Sequence, residues 1–275
     1  MKVMHMSVRA RLRPFLPKRV LRWEDAILRP RPMGYQFPYA DVKEVYEDIA
    51  RKYDYNGDML AFFSENDVGI VHKWHHYIPL YDRYFSPFRG GKVKFLEIGV
   101  SKGGSLQMWR KYFGPDALIH GIDIDPECIK YDGVAGKVRI GSQDDVAFLQ
   151  SVVDEMGGVD IVLDDGSHQM KHLRVSLEAL FGRLSDGGIY VIEDLHTAYW
   201  RDFGGGYRAR RNFFRYIGEV IADIHHWYHW NGVVHPSVSS HCTGIHVHDS
   251  MVILEKGVVH KPVSSQVGAK ERVAG

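Results

Sequence analysis

Residues 94–105 read KFLEIGVSKGGS. An apolar run that ends in glycines is typical of a buried strand followed by a turn, and residues 105–113 then have a helical pattern. The same succession recurs as far as residue 192. Strands that alternate with helices predict a parallel sheet with helices on both faces and ligands at the carboxyl ends of its strands. The predicted strands are residues 93–100, 117–125, 137–140, 159–164 and 189–192.

Two of these strands end in acidic residues. Residues 161–168 read IVLDDGSH, and residues 188–196 read GIYVIEDLH. Unpaired carboxylates are costly to bury, and the carboxyl ends of neighbouring parallel strands meet at one edge of a sheet. The two segments therefore predict a site for a metal ion or a positively charged ligand. Beyond them, residues 244–248 and 250–255 are apolar runs separated by Asp249, which predicts a hairpin at the sheet edge.

The first turn indicates the class of ligand. It does not match GxGxxG, because the second glycine follows Gly99 by four positions instead of two, and this argues against a dinucleotide pyrophosphate. Glu97 at the tip of the first strand would repel a phosphate but attract a cation. Asp123, at the tip of the second strand, is placed to accept both hydroxyls of a ribose. A positively charged nucleoside without phosphate is implied, and S-adenosylmethionine fits that description. The structural alternative for both acids is helix capping and turn formation.

The chain resembles the class I S-adenosylmethionine-dependent methyltransferases over about residues 70–256. Within that class it is similar to the metal-dependent O-methyltransferases of macrolide deoxysugars, of the mycinamicin and demethylmacrocin type. The resemblance rests on FLEIGV at 95–100, SQD at 142–144 and the two acidic strand ends. It implies an α/β fold with a Rossmann-like sheet of order 3-2-1-4-5-7-6, the last strand antiparallel, and helices on both faces.

The resemblance also suggests a division of the chain. We expect a basic arm at 1–40, a helical cover at 41–90, a methyltransferase domain at 91–256 and a tail at 257–275. A lid and substrate region is expected at about 197–235. Nine basic and two acidic residues lie in the first 32 positions. This arm contacts an anionic membrane surface, packs on a partner subunit, or is a solvated extension.

Cofactor contacts are assigned by position in the family. The residues assigned to the methionine end of S-adenosylmethionine come from the first turn and its flanks: Glu97, Gly99, Ser101 and Ser105. Asp123 would bind the ribose, and Ser142 and Gln143 would flank the adenine. Asp164 faces the opposite way from Asp165 on a strand, so we leave it near the cofactor or behind the metal.

The resemblance implies that Mg²⁺, with Mn²⁺ as an alternative, is held by Asp165, Glu193 and Asp194. Oxygen ligands suit such a hard cation. His168, three residues after Asp165, matches the family's general base. For His196, three roles remain open: a supporting residue, a substitute base, or the first residue of the next helix. A histidine-bound zinc or iron site is the competing metal hypothesis.

Residues 199–207 read YWRDFGGGY, in which aromatic rings flank a triple glycine suited to a mobile lid. Tyr199, Trp200 and Tyr207 are the candidate substrate contacts, because flat rings pack on the apolar faces of sugars. The expected reaction moves a methyl group to a sugar hydroxyl with a neighbouring hydroxyl, in a macrolide-like natural product or a surface polysaccharide. A catechol-type acceptor is one alternative, and a noncatalytic scaffold that binds S-adenosylmethionine is another.

The composition is that of an ordinary globular protein, with 275 residues, a formal net charge of +1 and two cysteines. No apolar run approaches the roughly 20 residues of a membrane span, and the continuous apolar segment of a signal peptide is missing. We expect a cytoplasmic homo-oligomer. Nucleic acid is not an expected substrate, because the charge is near neutral and an Asn/Asp-Pro-Pro-aromatic tetrapeptide is missing.

Overall fold

The computed structural model describes residues 42–268. Seven strands within this range form one sheet: β1 (Lys94–Ile98), β2 (Leu118–Asp123), β3 (Lys137–Ile140), β4 (Val159–Asp164), β5 (Leu184–Ile192), β6 (Cys242–His248) and β7 (Met251–Lys256). Their order across the sheet is β3-β2-β1-β4-β5-β7-β6. Strands β1 to β5 pair in parallel, whereas β7 pairs antiparallel with β5 and β6. The predicted fold class, strand order and reversed last strand are confirmed.

The register places the functional strand ends side by side. Ile98 of β1 is aligned with Ile122 of β2 and with Asp164 of β4, and Asp164 is aligned with Ile192 of β5. The amide of Glu193 then donates to the Asp164 carbonyl oxygen at 3.0 Å. The two acidic segments therefore meet at one edge of the sheet.

Eight α-helices lie in the described range: α1 (Val45–Tyr53), α2 (Asp58–Ser64), α3 (Tyr77–Phe85), α4 (Gly104–Phe113), α5 (Val146–Met156), α6 (Met170–Leu180), α7 (Phe213–Ile224) and α8 (Pro236–Ser239). Short 3₁₀ helices are at Val42–Glu44, Ser86–Phe88, Pro126–Tyr131, Phe181–Arg183, Leu195–Tyr199, Arg201–Phe203 and His226–Tyr228. Among these helices, none is long and apolar enough to cross a membrane.

Both faces of the sheet are buried. Leu96 and Val162 point to a cluster that includes α5, α6 and α7, whereas their neighbours Phe95 and Ile161 point to a second cluster with α1 to α4. Burial on both faces explains why the parallel strands read as continuous apolar runs. Trp109 of α4 is fully buried in the second cluster. The helices before β1 thus cover one face of the sheet and reach its functional edge.

Several predicted strand boundaries differ from the structure. Strands β1 and β2 are one residue shorter at the start and two residues shorter at the end than the predicted 93–100 and 117–125. Strand β6 begins at Cys242 rather than at 244, and β7 lies at 251–256 rather than at 250–255. Strand β5 begins at Leu184 rather than at 189, because residues 185–187 are exposed and polar or glycine and so lack an apolar pattern. The predicted basic arm at 1–40 lies outside the described residues.

Candidate active site

The turn after β1 lies against the chain that follows β4. Gly99 has φ +100°, and a Cβ on it would come within 2.2 Å of the Asp165 carbonyl oxygen. Only glycine allows both this conformation and this approach. The Gly99 amide also donates to the Ile122 carbonyl oxygen at 2.8 Å. The residues that follow β1, β2 and β4 therefore face a common cleft.

This cleft has a volume of about 200 Å³, and Asp165 lies on its wall. Five of the eight predicted cofactor residues also line it: Gly99, Ser101, Asp123, Ser142 and Gln143. Among the described residues that form the wall, none is a lysine or an arginine. The cleft thus offers hydroxyl, amide and carboxylate groups and the His172 imidazole, but no lysine or arginine for a phosphate.

Asp123 organises the first turn. Its Oδ2 accepts the amide hydrogens of Val100 and Ser101, both at 2.9 Å, and its Oδ1 accepts that of Asp125 at 2.9 Å. This is the turn-forming role that the sequence left open beside ribose binding. A carboxylate has about four acceptor sites, so Asp123 keeps capacity for a further hydroxyl on the cleft side.

Glu97 and Ser105 lie beneath the cleft rather than on its described wall. Glu97 is fully buried and accepts hydrogen bonds from Ser105 Oγ at 2.8 Å and Trp109 Nε1 at 3.0 Å. Burial raises the pKa of Glu97 to about 7, although the Lys73 ammonium and these two hydrogen bonds oppose the shift. Direct contact of Glu97 and Ser105 with a cofactor stays a prediction.

Asp164 holds Gln143 in place. It is fully buried and accepts hydrogen bonds from Gln143 Nε2 at 3.0 Å, Ser176 Oγ at 2.6 Å and Tyr190 at 3.0 Å. Burial raises its pKa, against the effect of the Ser176 and Tyr190 hydroxyls. Gln143 Oε1 in turn accepts the Ser167 amide at 2.6 Å. Asp164 therefore lies behind the cleft, as strand alternation predicts, and supports its wall through Gln143.

Three side chains meet beside the cleft, and we call Asp165, His168 and Asp194 the outer trio. One potential ligand atom from each lies within 4.8 Å of the other two. His168 Nε2 is 3.8 Å from Asp165 Oδ1 and 3.8 Å from Asp194 Oδ2. These separations exceed a hydrogen bond, so His168 Nε2 is not hydrogen-bonded to either carboxylate.

The buried surroundings of His168 are unusual. Its Nδ1 is among the buried side-chain atoms of the described residues that have no hydrogen-bond partner. Buried polar atoms are nearly always paired, so this nitrogen is an exception. The ring atom that lies beside the two carboxylates is the other nitrogen, Nε2. The carboxylate oxygens of Asp165 and Asp194 fit a hard divalent cation, and they leave the His168 imidazole available for another role.

Glu193 is held on the inner side of the cluster. It is 1% exposed; its Oε2 accepts a hydrogen bond from Lys73 Nζ at 2.8 Å, and its Oε1 accepts one from the Tyr81 hydroxyl. Lys73 Nζ also donates to Asp165 Oδ2 at 2.6 Å. Burial raises the pKa of Glu193, although the Lys73 ammonium opposes it. The role of Glu193 as a metal ligand stays a prediction.

Sequence reasoning missed Lys73 and the groups near it. Asp194 Oδ1 accepts hydrogen bonds from Trp74 Nε1 at 3.0 Å and from the Tyr77 hydroxyl at 3.1 Å. Tyr77 and Tyr81 are four residues apart on α3, so they share one face of the helix. The four-residue spacing of these two tyrosines, shortly after Lys73 and Trp74, is the one pattern in the sequence that could have indicated contacts with the acids.

His196 lies at the border of the cluster. Its ring Nδ1 is 2.7 Å from Ser250 Oγ, and its ring stands 5.4 Å from Trp74 and 4.8 Å from Trp200. Burial lowers the pKa of His196 below the ordinary histidine value. It also lies in the 3₁₀ helix Leu195–Tyr199. His196 is the second residue of that helix, and its supporting and catalytic roles stay predictions.

The three predicted substrate aromatics separate into two groups. Trp200 lies between His196 and Phe203, with ring distances of 4.8 Å and 5.9 Å. Phe203 is 6.3 Å from the His168 ring. In contrast, Tyr199 stacks at 5.8 Å on Phe214 of α7 and is 6.5 Å from Tyr207. Trp200 thus adjoins the outer trio, whereas Tyr199 packs on α7 and Tyr207 is 70% exposed beside it.

Comparison with known proteins identifies the family. A family model described as a methyltransferase domain matches residues 96–195. The chain is 36% identical to mycinamicin VI 2''-O-methyltransferase of Micromonospora griseorubida, over 86% of this chain and 67% of that protein. It is 38% identical to the 8-demethyl-8-(2-methoxy-alpha-L-rhamnosyl)-tetracenomycin-C 3'-O-methyltransferase of Streptomyces olivaceus, over 73% of this chain and 53% of that protein. The chain spans about half the length of several curated relatives that it matches.

A solved structure agrees with these relatives. MycE, a methyltransferase from the mycinamycin biosynthetic pathway in complex with Mg, SAH and mycinamycin VI, superposes with a TM-score of 0.66 and 31% identity. The match covers 80% of this chain and 62% of MycE. The chain therefore belongs to the class I S-adenosylmethionine-dependent, metal-dependent O-methyltransferases, in the family that contains the macrolide sugar O-methyltransferases.

Proposed function

We propose that this chain is a Mg²⁺-dependent O-methyltransferase with His168 as its general base. Its methyl donor is S-adenosylmethionine, and its acceptor is a sugar hydroxyl with a neighbouring hydroxyl in a glycosylated natural product. One observation carries the proposal: the cleft lined by predicted cofactor residues ends at Asp165, which also belongs to the outer trio. A donor and a metal-held acceptor would thus be neighbours.

The cleft fits the donor by its chemistry. Gly99 leaves room close to the backbone, Asp123 can accept ribose hydroxyls, and Gln143 presents an amide that Asp164 holds in place. The described wall has no lysine or arginine, as expected for a nucleoside that carries positive charge and no phosphate. The SAH and Mg in the MycE complexes support the same two ligands here.

When bound, S-adenosylmethionine supplies an activated methyl group, and Mg²⁺ acidifies and orients the two acceptor hydroxyls. Asp165 and Asp194 hold the ion in this proposal, with Glu193 as the third carboxylate of the cluster. Mn²⁺, which also accepts oxygen ligands, is the alternative ion.

His168 removes the acceptor proton. Its Nε2 faces the space between Asp165 and Asp194, 3.8 Å from an oxygen of each. A neutral imidazole with its hydrogen on Nδ1 presents the Nε2 lone pair to that space. Nε2 is therefore the atom that takes the proton, and general-base removal typically contributes about 10²- to 10⁴-fold to the rate.

The acceptor lies against an aromatic wall, which we define as Trp74, His196, Trp200 and Phe203. Consecutive rings of this wall are 4.8 to 5.9 Å apart, and Phe203 is 6.3 Å from His168. Such rings pack on the apolar face of a sugar and exclude water from the cluster. The relatives named for rhamnosyl-tetracenomycin, demethylmacrocin and mycinamicin substrates support a sugar acceptor over a catechol.

Matched variants test this proposal. Asp165→Asn and His168→Gln keep the size of each side chain but remove a metal ligand or the base. We expect methyl transfer to a rhamnosylated or macrolide acceptor to fall at least about 100-fold in both variants. Binding of S-adenosylmethionine, measured by isothermal titration calorimetry, should remain within a few fold.

The control is Asp186→Asn, which makes the same chemical change at a side chain that is 65% exposed on β5. This variant should retain full activity. Unchanged turnover in His168→Gln would refute the assignment of the base, and unchanged turnover in Asp165→Asn would refute the metal site.

A further inference from the structure

Lys73 is a buried cation inside the acidic cluster. It lies in the loop between α2 and α3, and its side chain is 2% exposed. Its Nζ is 2.6 Å from Asp165 Oδ2 and 2.8 Å from Glu193 Oε2, and it stands 5.8 Å from the centre of the Tyr81 ring. A buried ammonium is stable only when it is paired, and here two carboxylates pair with it.

The pairing divides the carboxylates between Lys73 and the outer trio. Asp165 directs Oδ2 to Lys73, while its Oδ1 lies 3.8 Å from His168 Nε2. Glu193 directs Oε2 to Lys73 and Oε1 to the Tyr81 hydroxyl. Both residues are predicted metal ligands, so the ammonium is hydrogen-bonded to oxygens that a divalent ion would also attract.

We propose that Lys73 is a positioning residue that acts as an internal counter-ion, and that it competes with the divalent metal for Asp165 and Glu193. The inference rests on the proposed metal site. In the absence of metal, Lys73 neutralises carboxylates that would otherwise repel one another. When a metal is bound, two cations share the same carboxylates, so the ammonium weakens metal affinity and keeps binding reversible.

This competition predicts opposite effects of one substitution on two measurements. Lys73→Met keeps the length of the side chain and removes its charge. Without metal, its melting temperature should be lower than that of the parent, because Glu193 loses its buried partner. Its affinity for Mg²⁺ should be tighter by on the order of tenfold or more, because the repulsion between the ammonium and the ion is gone.

The experiment is a Mg²⁺ titration by calorimetry, with thermal unfolding at each Mg²⁺ concentration. Neither measurement needs an acceptor or turnover, so a failure of the proposed sugar methylation is distinguishable from a failure of this inference. Lys111→Met is the matched control, because Lys111 is 41% exposed and pairs with Asp67. It should change neither the melting temperature nor the Mg²⁺ affinity.

A second variant keeps the inference testable if Lys73→Met folds poorly. The double variant Lys73→Met/Glu193→Gln removes one charge of each sign, so it should recover much of the lost melting temperature and part of the gained Mg²⁺ affinity should disappear. Weaker or unchanged Mg²⁺ affinity in Lys73→Met would overturn the competition. If Lys73→Met does not fold, failure of the double variant to recover stability would also overturn it.

Discussion

Two residues of the outer trio adopt a backbone conformation that side chains disfavour. His168 has φ +54° and Asp194 has φ +55°, both in the left-handed region. Such a conformation costs roughly 1–3 kcal/mol at a residue other than glycine and occurs mainly at functional sites. The strain turns the two side chains toward Asp165 immediately after β4 and β5 end. Asp and His adopt this conformation more readily than most residues other than glycine, but their identity alone does not predict it.

Glu97 is the residue whose pKa gives a pH test. Burial raises its pKa from 4.5 to about 7. Between these two pH values the Glu97 carboxyl keeps its proton in the folded protein but has lost it in the unfolded chain. The protonated carboxyl therefore contributes to the free energy of unfolding, and this contribution is full below about pH 4.5 and is lost as the pH rises through 7. In Glu97→Gln the contribution is missing.

We therefore expect the free energy of unfolding of Glu97→Gln, relative to the parent, to increase between pH 5 and pH 8. The full effect is on the order of 3 kcal/mol, since one pKa unit corresponds to about 1.4 kcal/mol. Urea unfolding of both proteins at four pH values measures it. Parallel pH profiles would show that Glu97 does not titrate in this range.

At the scale of elements, the glycine-rich segment between β5 and α7 is more firmly held than its composition indicates. The amides of Gly205 and Gly206 donate to the carbonyl oxygens of Trp200 and Ala198, at 3.0 Å and 2.8 Å. The buried Asn212 caps α7 through the Phe214 amide, and its Nδ2 donates to Ala198 and Gly206. The triple glycine therefore forms part of a compact, hydrogen-bonded turn.

Replacement of Asn212 by Ala should loosen that segment. Loss of a helix cap costs about 0.5–2 kcal/mol. The carbonyl oxygens of Ala198 and Gly206 also lose the Asn212 side-chain donor, although each keeps a backbone amide donor. We expect a lower melting temperature and faster hydrogen exchange over residues 198–207. Asn231→Ala, at an exposed position, is the control. Unchanged exchange over residues 198–207 in Asn212→Ala would show that the cap does not hold the segment.

The two aromatic groups near this segment should differ in their effect on the acceptor. Trp200 adjoins His196 and Phe203 near the outer trio, whereas Tyr199 stacks on Phe214. Trp200→Ala should raise the KM for the glycosylated acceptor by about tenfold, equivalent to about 1.4 kcal/mol of contact. Tyr199→Ala should leave that KM nearly unchanged. Equal effects in the two variants would refute the division.

The strands illustrate what the sequence can predict. Residues 137–140 and 159–164 match β3 and β4 at both ends, because glycines bound the alternating KVRI segment and a glycine and an aspartate bound the second segment. The polar start of β5 has no such pattern, so its first residues were not predictable. The acidic ends of β4 and β5 meet as predicted, since parallel strands place their carboxyl ends at one edge.

At the scale of the whole molecule, the site is completed by helices that precede the sheet. Lys73 pairs with Asp165 and Glu193, which follow it by 92 and 120 residues. Periodicity indicates that α3 packs on the core, but it cannot indicate which polar groups of the cover reach the strand ends. The contacts of Trp74, Tyr77 and Tyr81 with the acids therefore became evident only from the structure.

The central claim is metal-dependent methylation of a sugar, and one measurement tests it most directly. The full chain is incubated with S-adenosylmethionine that carries a trideuterated methyl group and with a glycosylated macrolide or tetracenomycin acceptor. Mass spectrometry of the product locates the label with Mg²⁺, after EDTA, and after Mg²⁺ is restored. We predict label on a sugar oxygen, its loss with EDTA and its return with Mg²⁺. Equal labelling with and without EDTA, or label confined to the aglycone, would contradict the account.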